Sequence, residues 1–342
     1  MSKPAVIPFQ RVLEEIKDVD TPLDPRYLYH LSDLESSELE KLQAIWDGLP
    51  VWRKQAVMED IEELNRDDTV LDFVVFGRFA LQDRDPMVRI FAVRTLKDYE
   101  ESNLIQDFLV LLQKDEDSGV RKEVAEALGR FVYAGELDLI SSSQIQKLED
   151  TLLEIINSDE IFDVRRAALE SMGYSSRDEV DSLINKAFLS DDRKWKASAL
   201  IAMGHSANID WQPQVISMLE SNFPLLRCSS ARAAGELELE ECIPYLIGLL
   251  DDPDDNTRNA SIWALSQIGG EGIREILERI HEEAEDDQTC GLIESALENL
   301  SFMEDAQLMP IFDVPDDLDE DLDEYDFDEV PGSYKDDEDM EY

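Results

Sequence analysis

The chain has 342 residues, of which 43% are hydrophobic, and its 80 acidic and 31 basic side chains leave a net charge of −49. That charge argues against direct nucleic-acid binding, which needs a cationic face, and against anionic membrane surfaces. No apolar run approaches the ~18 residues of a membrane span. The stretch Ala5-Val-Ile-Pro-Phe9 is too short for a signal-peptide core and is broken by Pro8. Cysteines at 228, 242 and 290 are too few and too scattered for a disulfide framework or a zinc cluster, so free thiols on helix faces are expected. A soluble, cytoplasmic protein is the expectation.

Residues 1–36 form a preface. Phe9, Val12, Leu13 and Ile16 have helical spacing, Thr21-Pro-Leu-Asp-Pro-Arg26 ends that helix, and Tyr27, Leu28, Tyr29 and Leu31 are placed to cover the exposed end of the helices after them. Ser37-Glu-Leu-Glu40 has the form of a capping box. A helix with Leu39, Leu42, Ile45 and Trp46 comes next, then a turn at Gly48-Leu-Pro50 and a second helix with Val51, Arg53, Ala56, Val57 and Ile61.

This helix pair is the first, divergent copy of a repeat. Basic residues recur at Arg53, Arg89, Arg121, Arg165, Lys196, Arg227 and Arg258, with intervals of 36, 32 and 44 residues and then 31 three times. Spacing in the thirties with two helical patterns per period means a stacked helical array. In the long interval the extra residues are assigned to a loop over 132–143, before a helix at 144–156. An eighth pair covers Ile273–Ile280 and Cys290–Leu300. Asp85-Pro86 and Asp252-Pro253-Asp254 put carboxylates at helix starts, where free amides and the dipole favour negative charge. Val88, Ala92, Val93 and Leu96 form an apolar stripe that Val120, Val124, Ala125 and Leu128 repeat. Gly129, Gly173, Gly204, Gly235 and Gly269 recur near helix ends, where a left-handed cap is expected.

The pattern Asp-x-Asp-Pro-x-Val-Arg-x-x-Ala-x-x-x-Leu at 83–96, loosely repeated at 252–265, resembles HEAT repeats, and the 31-residue spacing is most similar to the HEAT-like repeats named after phycobilisome lyases. The resemblance covers roughly residues 37–300 and implies an all-α, right-handed, armadillo-like α-solenoid of about eight helix pairs. It also implies a structural ladder in which the arginine after Val bonds Asp groups of adjacent turns: Asp85, Arg89, Asp117, Arg121, Arg165, Arg227, Asp254 and Arg258, weakened at Lys196.

After Leu300 the composition changes. From Glu304 to Tyr342 there are 18 acidic residues and one lysine, too little apolar matter to offset ordering entropy, so a disordered acidic tail is expected. Three units are therefore expected: an N-terminal extension at 1–36, a solenoid at 37–303 and the tail at 304–342. Asp319, Asp321 and Asp323 alternate as in a calcium loop, but Glu324 and Val330 occupy the positions of its Gly and closing Glu. Tyr325 and Phe327, flanked by acids, form the candidate partner-docking motif.

The likeness to HEAT-repeat hydroxylases with a di-iron centre implies several His-Glu pairs. This chain has histidines only at 30, 205 and 281, with one such dipeptide, His281-Glu282, so no catalytic residue, metal ligand or cofactor is assigned. His205, at a helix end, suits a cationic cap. Trp195, Trp211 and Trp263 are candidates to line a ligand surface, with core packing favoured for Trp263 beside Ala264-Leu265. The expected function is a non-catalytic protein–protein interaction scaffold or assembly factor whose negative surface favours a basic protein segment. The alternatives are a HEAT-repeat oxidoreductase or chromophore-lyase-like protein, and an acidic tail that mimics nucleic acid to regulate a basic partner.

Overall fold

The computed structural model describes residues 7–99, 101–284 and 286–308. The acidic segment 309–342, with Tyr325 and Phe327, lies outside the described residues. Helix α1 (Phe9–Lys17) and a 3-10 turn at Pro25–Leu31 precede eight helix pairs. The pairs are α2 (Ser36–Trp46) with α3 (Val51–Asp67), α4 (Val74–Ala80) with α5 (Pro86–Leu96), α6 (Leu104–Lys114) with α7 (Ser118–Glu136), and α8 (Ser142–Asn157) with α9 (Phe162–Met172). They continue as α10 (Asp178–Phe188) with α11 (Arg193–His205), α12 (Gln212–Leu219) with α13 (Pro224–Glu236), α14 (Ile243–Leu249) with α15 (Asp255–Ile268), and α16 (Ile273–Glu283) with α17 (Asp287–Leu308). Among the described residues there is no strand, and no helix is long and apolar enough to cross a membrane. The architecture is an α-solenoid.

The two layers pack differently. The second helices, α3 through α17, form a continuous spine in which each packs on the next, whereas the first helices pack mainly on their own partner. The stripe residues make this possible: Val88, Ala92, Val93 and Leu96 of α5, and Val120, Val124, Ala125 and Leu128 of α7, are all fully buried. One pair cannot bury both of its stripes alone, so the core runs along the stack.

The recurrent glycines serve this close packing rather than left-handed caps. Gly173 has φ −54°, and Gly129, Gly204 and Gly235 also lie outside the positive-φ region. A Cβ on Gly173 would stand 2.6 Å from the Ala202 carbonyl oxygen, and one on Gly235 would stand 2.8 Å from the Ala264 Cα. Neighbouring backbones approach here more closely than any side chain permits. Of these five glycines Gly269 alone has a positive φ, +68°, but with ψ −152° it lies in an extended region open to glycine and not in the left-handed helical one expected.

Two local expectations are corrected. The capping box of α2 lies two residues earlier, at Glu35 and Glu38, because Glu35 holds the extended N-cap conformation and its amide donates to Glu38 Oε2 at 3.2 Å. The insertion after Arg121 is mostly helix: α7 continues to Glu136, leaving a short loop at 137–141 before α8. Gly135 sustains that extension, since a Cβ there would stand 2.5 Å from Ile145 Cδ1.

The preface is tied down by one side chain. Arg53 is 3% exposed and donates to the carbonyl oxygens of Glu15 (2.9 Å), Ile16 (3.1 Å), Asp18 (2.7 Å) and Thr21 (3.3 Å). A guanidinium at the C-terminus of α1 satisfies orphan carbonyls and matches the negative end of the helix dipole.

Candidate functional site: the arginine ladder and its break

The turn between the two helices of each pair carries the ladder. In α5, Arg89 grips Asp115 through two hydrogen bonds of 2.7 Å, and its third nitrogen donates to the carbonyls of Asp83 (2.8 Å) and Arg84 (3.1 Å). Arg227 grips Asp252 in the same way at 2.6 and 2.7 Å and donates to the Ser221 carbonyl at 2.8 Å. Forked, charge-assisted pairs of this kind fix orientation as well as adding energy. Beside its guanidinium partner, the Asp252 carboxyl is held below its ordinary 3.8.

The gripped acids are not those expected. Asp85, Asp117 and Asp254 are N-caps: they accept from the amides of Val88 (3.1 Å), Gly119 (2.8 Å) and Thr257 (2.9 Å) respectively. The rung carboxylates Asp115 and Asp252 stand two residues earlier, too far from the helix start to cap it and turned toward the preceding repeat. Each also accepts the amide of the N-cap residue, at 2.9 Å in both turns. Asp83, the equivalent acid of the second pair, takes Lys54 Nζ at 2.8 Å and Trp46 Nε1 at 2.7 Å, because Arg53 is committed to α1. The Asp-x-Asp spacing at 83–85, 115–117 and 252–254 is the sequence signal that separates rung from cap.

In the middle of the stack the rung acid is replaced by serine. Ser158, Ser190 and Ser221 accept the amides of Glu160 (3.1 Å), Asp192 (3.1 Å) and Phe223 (3.3 Å), so the turn geometry is kept. A short neutral hydroxyl cannot hold the arginine. Arg121 recovers a rung by reaching Glu160 at 2.8 and 2.9 Å, and that contact lowers the Glu160 carboxyl from its ordinary 4.5. Among the described residues Lys196 has no rung: its ammonium lies 5.5 Å from the centre of the Phe188 ring. Arg258, the last of the series, pairs with Asp255 on its own helix at 2.5 Å.

Arg165 also lacks a rung, although its side chain is arginine as in the other copies. Its Nε donates to the Ile156 carbonyl at 2.9 Å, and among the described residues no carboxylate lies within ion-pair distance. The guanidinium lies beside an edge-to-face pair of rings, Phe162 and Trp195, whose centres are 6.4 Å apart and stand 5.6 and 5.4 Å from its carbon. A cleft of about 200 Å³ opens beside it, lined by Ile156, Arg165, Leu183, Lys186, Ser190 and Trp195. Phe162 and Leu189, 63% and 71% exposed, flank the same turns. Farther along this edge, Arg193 lies over the Phe223 ring at 3.5 Å.

The second helices carry a different feature. Glu170 accepts from Ser198 Oγ, and burial pushes its carboxyl up from 4.5; the Ser198 bond opposes the shift and the charge of Glu126 adds to it. Burial, followed by the charges of Glu59 and Glu63, likewise raises the Asp60 carboxyl. His205 is not a cationic cap. It stacks on Tyr174 at 4.1 Å and 8°, its Nδ1 lies 2.8 Å from the Glu170 carbonyl oxygen, and burial lowers its pKa from 6.5, so the ring is neutral. Trp195 and Trp263 are half-buried, and Trp211 is 8% exposed. Cys242 is a buried free thiol pushed up to about 12 by burial, while Cys228 and Cys290 are free and half-buried. Among the described residues no group of three or more His, Cys, Asp or Glu side chains is placed to hold a metal ion.

No curated protein sequence matches the chain at a significant level. Solved structures similar to it include the phycocyanin lyase complex of CpcE and CpcF from Nostoc, 20% identical over 66% of this chain and 94% of that one, with a TM-score of 0.44. Human deoxyhypusine hydroxylase is 16% identical over 76% of this chain and 95% of that one, with a TM-score of 0.34. An engineered protein is 17% identical over 86% and 88%, with a TM-score of 0.38. The family described as HEAT repeats matches residues 78–173 and 212–298, together more than half of the sequence, and with the stacked pairs and their arginine ladder this makes the chain a member of the HEAT-repeat family.

Proposed function

We propose that this chain is a non-catalytic protein-interaction scaffold, or assembly factor, that receives a basic protein segment on the face of its second helices. The observation that carries the proposal is the like-charge crowding of Glu126 and Glu170, which adds to burial in holding the Glu170 carboxyl above its ordinary range. Lys122 pairs with Glu126 at 2.5 Å, and its charge and that of Arg166 offset part of the crowding at Glu170; an arriving Lys or Arg adds to that compensation. The net charge of −49 would speed the encounter with such a partner and make it salt-dependent.

The test is a titration of the full chain with a Lys/Arg-rich peptide, read by fluorescence anisotropy at low and moderate salt. Glu126→Gln with Glu170→Gln should weaken binding at least tenfold, and deletion of 309–342 should change it less than threefold. Loss of binding only on the deletion would assign the attraction to the acidic segment and overturn the proposal.

A further inference from the structure

The cleft beside Arg165 is a ladder rung left open. Every element of a rung is present except the acid: the arginine is in place, Ser190 keeps the turn, and the guanidinium is held by the Ile156 carbonyl and packed beside Phe162 and Trp195. Lys186 adds a second positive charge at the rim, with no ion pair among the described residues. Ile156, Leu183 and the Trp195 ring form an apolar part of the wall, and Asn157 and Ser190 a polar part. An apolar cavity of ~150 Å³ is large enough for a benzene ring, so about 200 Å³ has room for one aromatic side chain. The site therefore calls for an aromatic ring with a carboxylate beside it. Asp83, Asp115, Glu160 and Asp252 supply the acid in four other turns, and of the two positions without one among the described residues only Arg165 presents a guanidinium.

We propose that the chain's own segment around Tyr325 and Phe327 occupies this cleft, inserting an aromatic ring while a flanking carboxylate completes the rung on Arg165. Two features, apart from reach, point to this occupant. The segment reads Asp323-Glu-Tyr-Asp-Phe-Asp-Glu329, so each ring has acids on both sides. Its charge complements Arg165 and Lys186, and Arg193 continues the cationic edge over Phe223. Asp191 and Asp192 share the turn, but the Asp192 Oδ1 is engaged by the amides of Lys194 and Trp195.

The reach also closes. Helix α17 runs 22 residues to Leu308, about 33 Å at ~1.5 Å per residue. The cleft lies between the fourth and fifth pairs, so three to four steps of ~10 Å separate it from α17 along the stack. The straight path from Leu308 is then on the order of 50 Å, from these two legs at right angles. The nineteen residues from Leu308 to Phe327 span up to about 65 Å when extended. Occupation by the chain's own acidic segment would screen the exposed Phe162 and Leu189 from other partners, and it does not depend on the basic-segment proposal, which concerns another face.

The experiment places a benzophenone-bearing phenylalanine at position 327 of the full-length chain, photolyses it at low protein concentration and maps the cross-links by mass spectrometry. Most intrachain cross-links should fall on the peptides covering 156–195. Arg165→Gln should reduce their yield at least fivefold, as should 0.5 M salt. Because Arg165 also supports its own turn, Lys186→Gln, at an exposed position, serves as a second variant and should reduce the yield at least twofold at unchanged thermal stability. Cross-links concentrated elsewhere on the stack, cross-links only between chains, or a yield indifferent to both variants would overturn the proposal.

Discussion

Arg227 of α13 and Asp252, in the turn before α15, face each other across a repeat boundary through two near-parallel hydrogen bonds, with side chains only 12% and 5% exposed. Removing the arginine leaves a carboxylate with little water and only the weaker influence of the Arg258 charge. Arg227→Ala should therefore cost about 3–5 kcal/mol, the range for breaking a buried pair. Arg121→Ala, whose partner Glu160 is more accessible, should cost about 1–3 kcal/mol. Urea titration of both variants checks the order as well as the sizes.

The same pairs set the acid limb of stability. The folded-state pKa values of Asp252 and Glu160 are depressed by their arginines. Below its ordinary pKa an unfolded carboxyl binds the proton first, so this contribution is present above that range and is lost as pH falls through the folded values. Asp252→Asn should flatten the loss of stability below about pH 4, measured by chemical denaturation across pH 2.5–6.

Gly173 and Gly248 should respond to alanine with opposite signs. Gly173 faces the backbone of Ala202, and a methyl group there forces α9 and α11 apart, at a cost of about 1–3 kcal/mol or more. Gly248, in α14, has no neighbouring atom within 4 Å of the place a Cβ would take, so alanine should stabilise by about 0.4–1 kcal/mol through the unfolded chain. Thermal denaturation of the two variants beside the parent decides the matter.

The repeat was legible in the sequence because each Val-Arg and its apolar stripe recur where stacking demands them. The break was not. Ser158, Ser190 and Ser221 accept the same turn amide as Asp83, Asp115 and Asp252, so the pattern looks continuous when the cap residue is followed. Arg165 then reads as equivalent to Arg89, although their partners differ. The recurrent glycines carried a similar ambiguity: a glycine near a helix end signals either a left-handed cap or a close crossing, and only the path of the next repeat distinguishes them. Residues 132–136 read as a loop because the packing of Ile145 over Gly135 belongs to the tertiary fold and leaves no local signal.

His205 should give the chain a second pH dependence, separate from the carboxylates. Its folded-state pKa lies below 6.5, chiefly because burial penalises the cation, with the Glu170 carbonyl and the Glu236 charge opposing the shift. Between that depressed value and 6.5 the unfolded chain binds more protons than the folded one. Stability should therefore be full above about pH 6.5–7 and fall as pH is lowered through this window. His205→Phe keeps a ring against Tyr174, at 4.1 Å in the parent, but forfeits the 2.8 Å contact to the Glu170 carbonyl. It should lower stability at pH 7.5 by about 1 kcal/mol while removing the decline between pH 7 and 5. A decline of unchanged slope in the variant would assign that titration to another group.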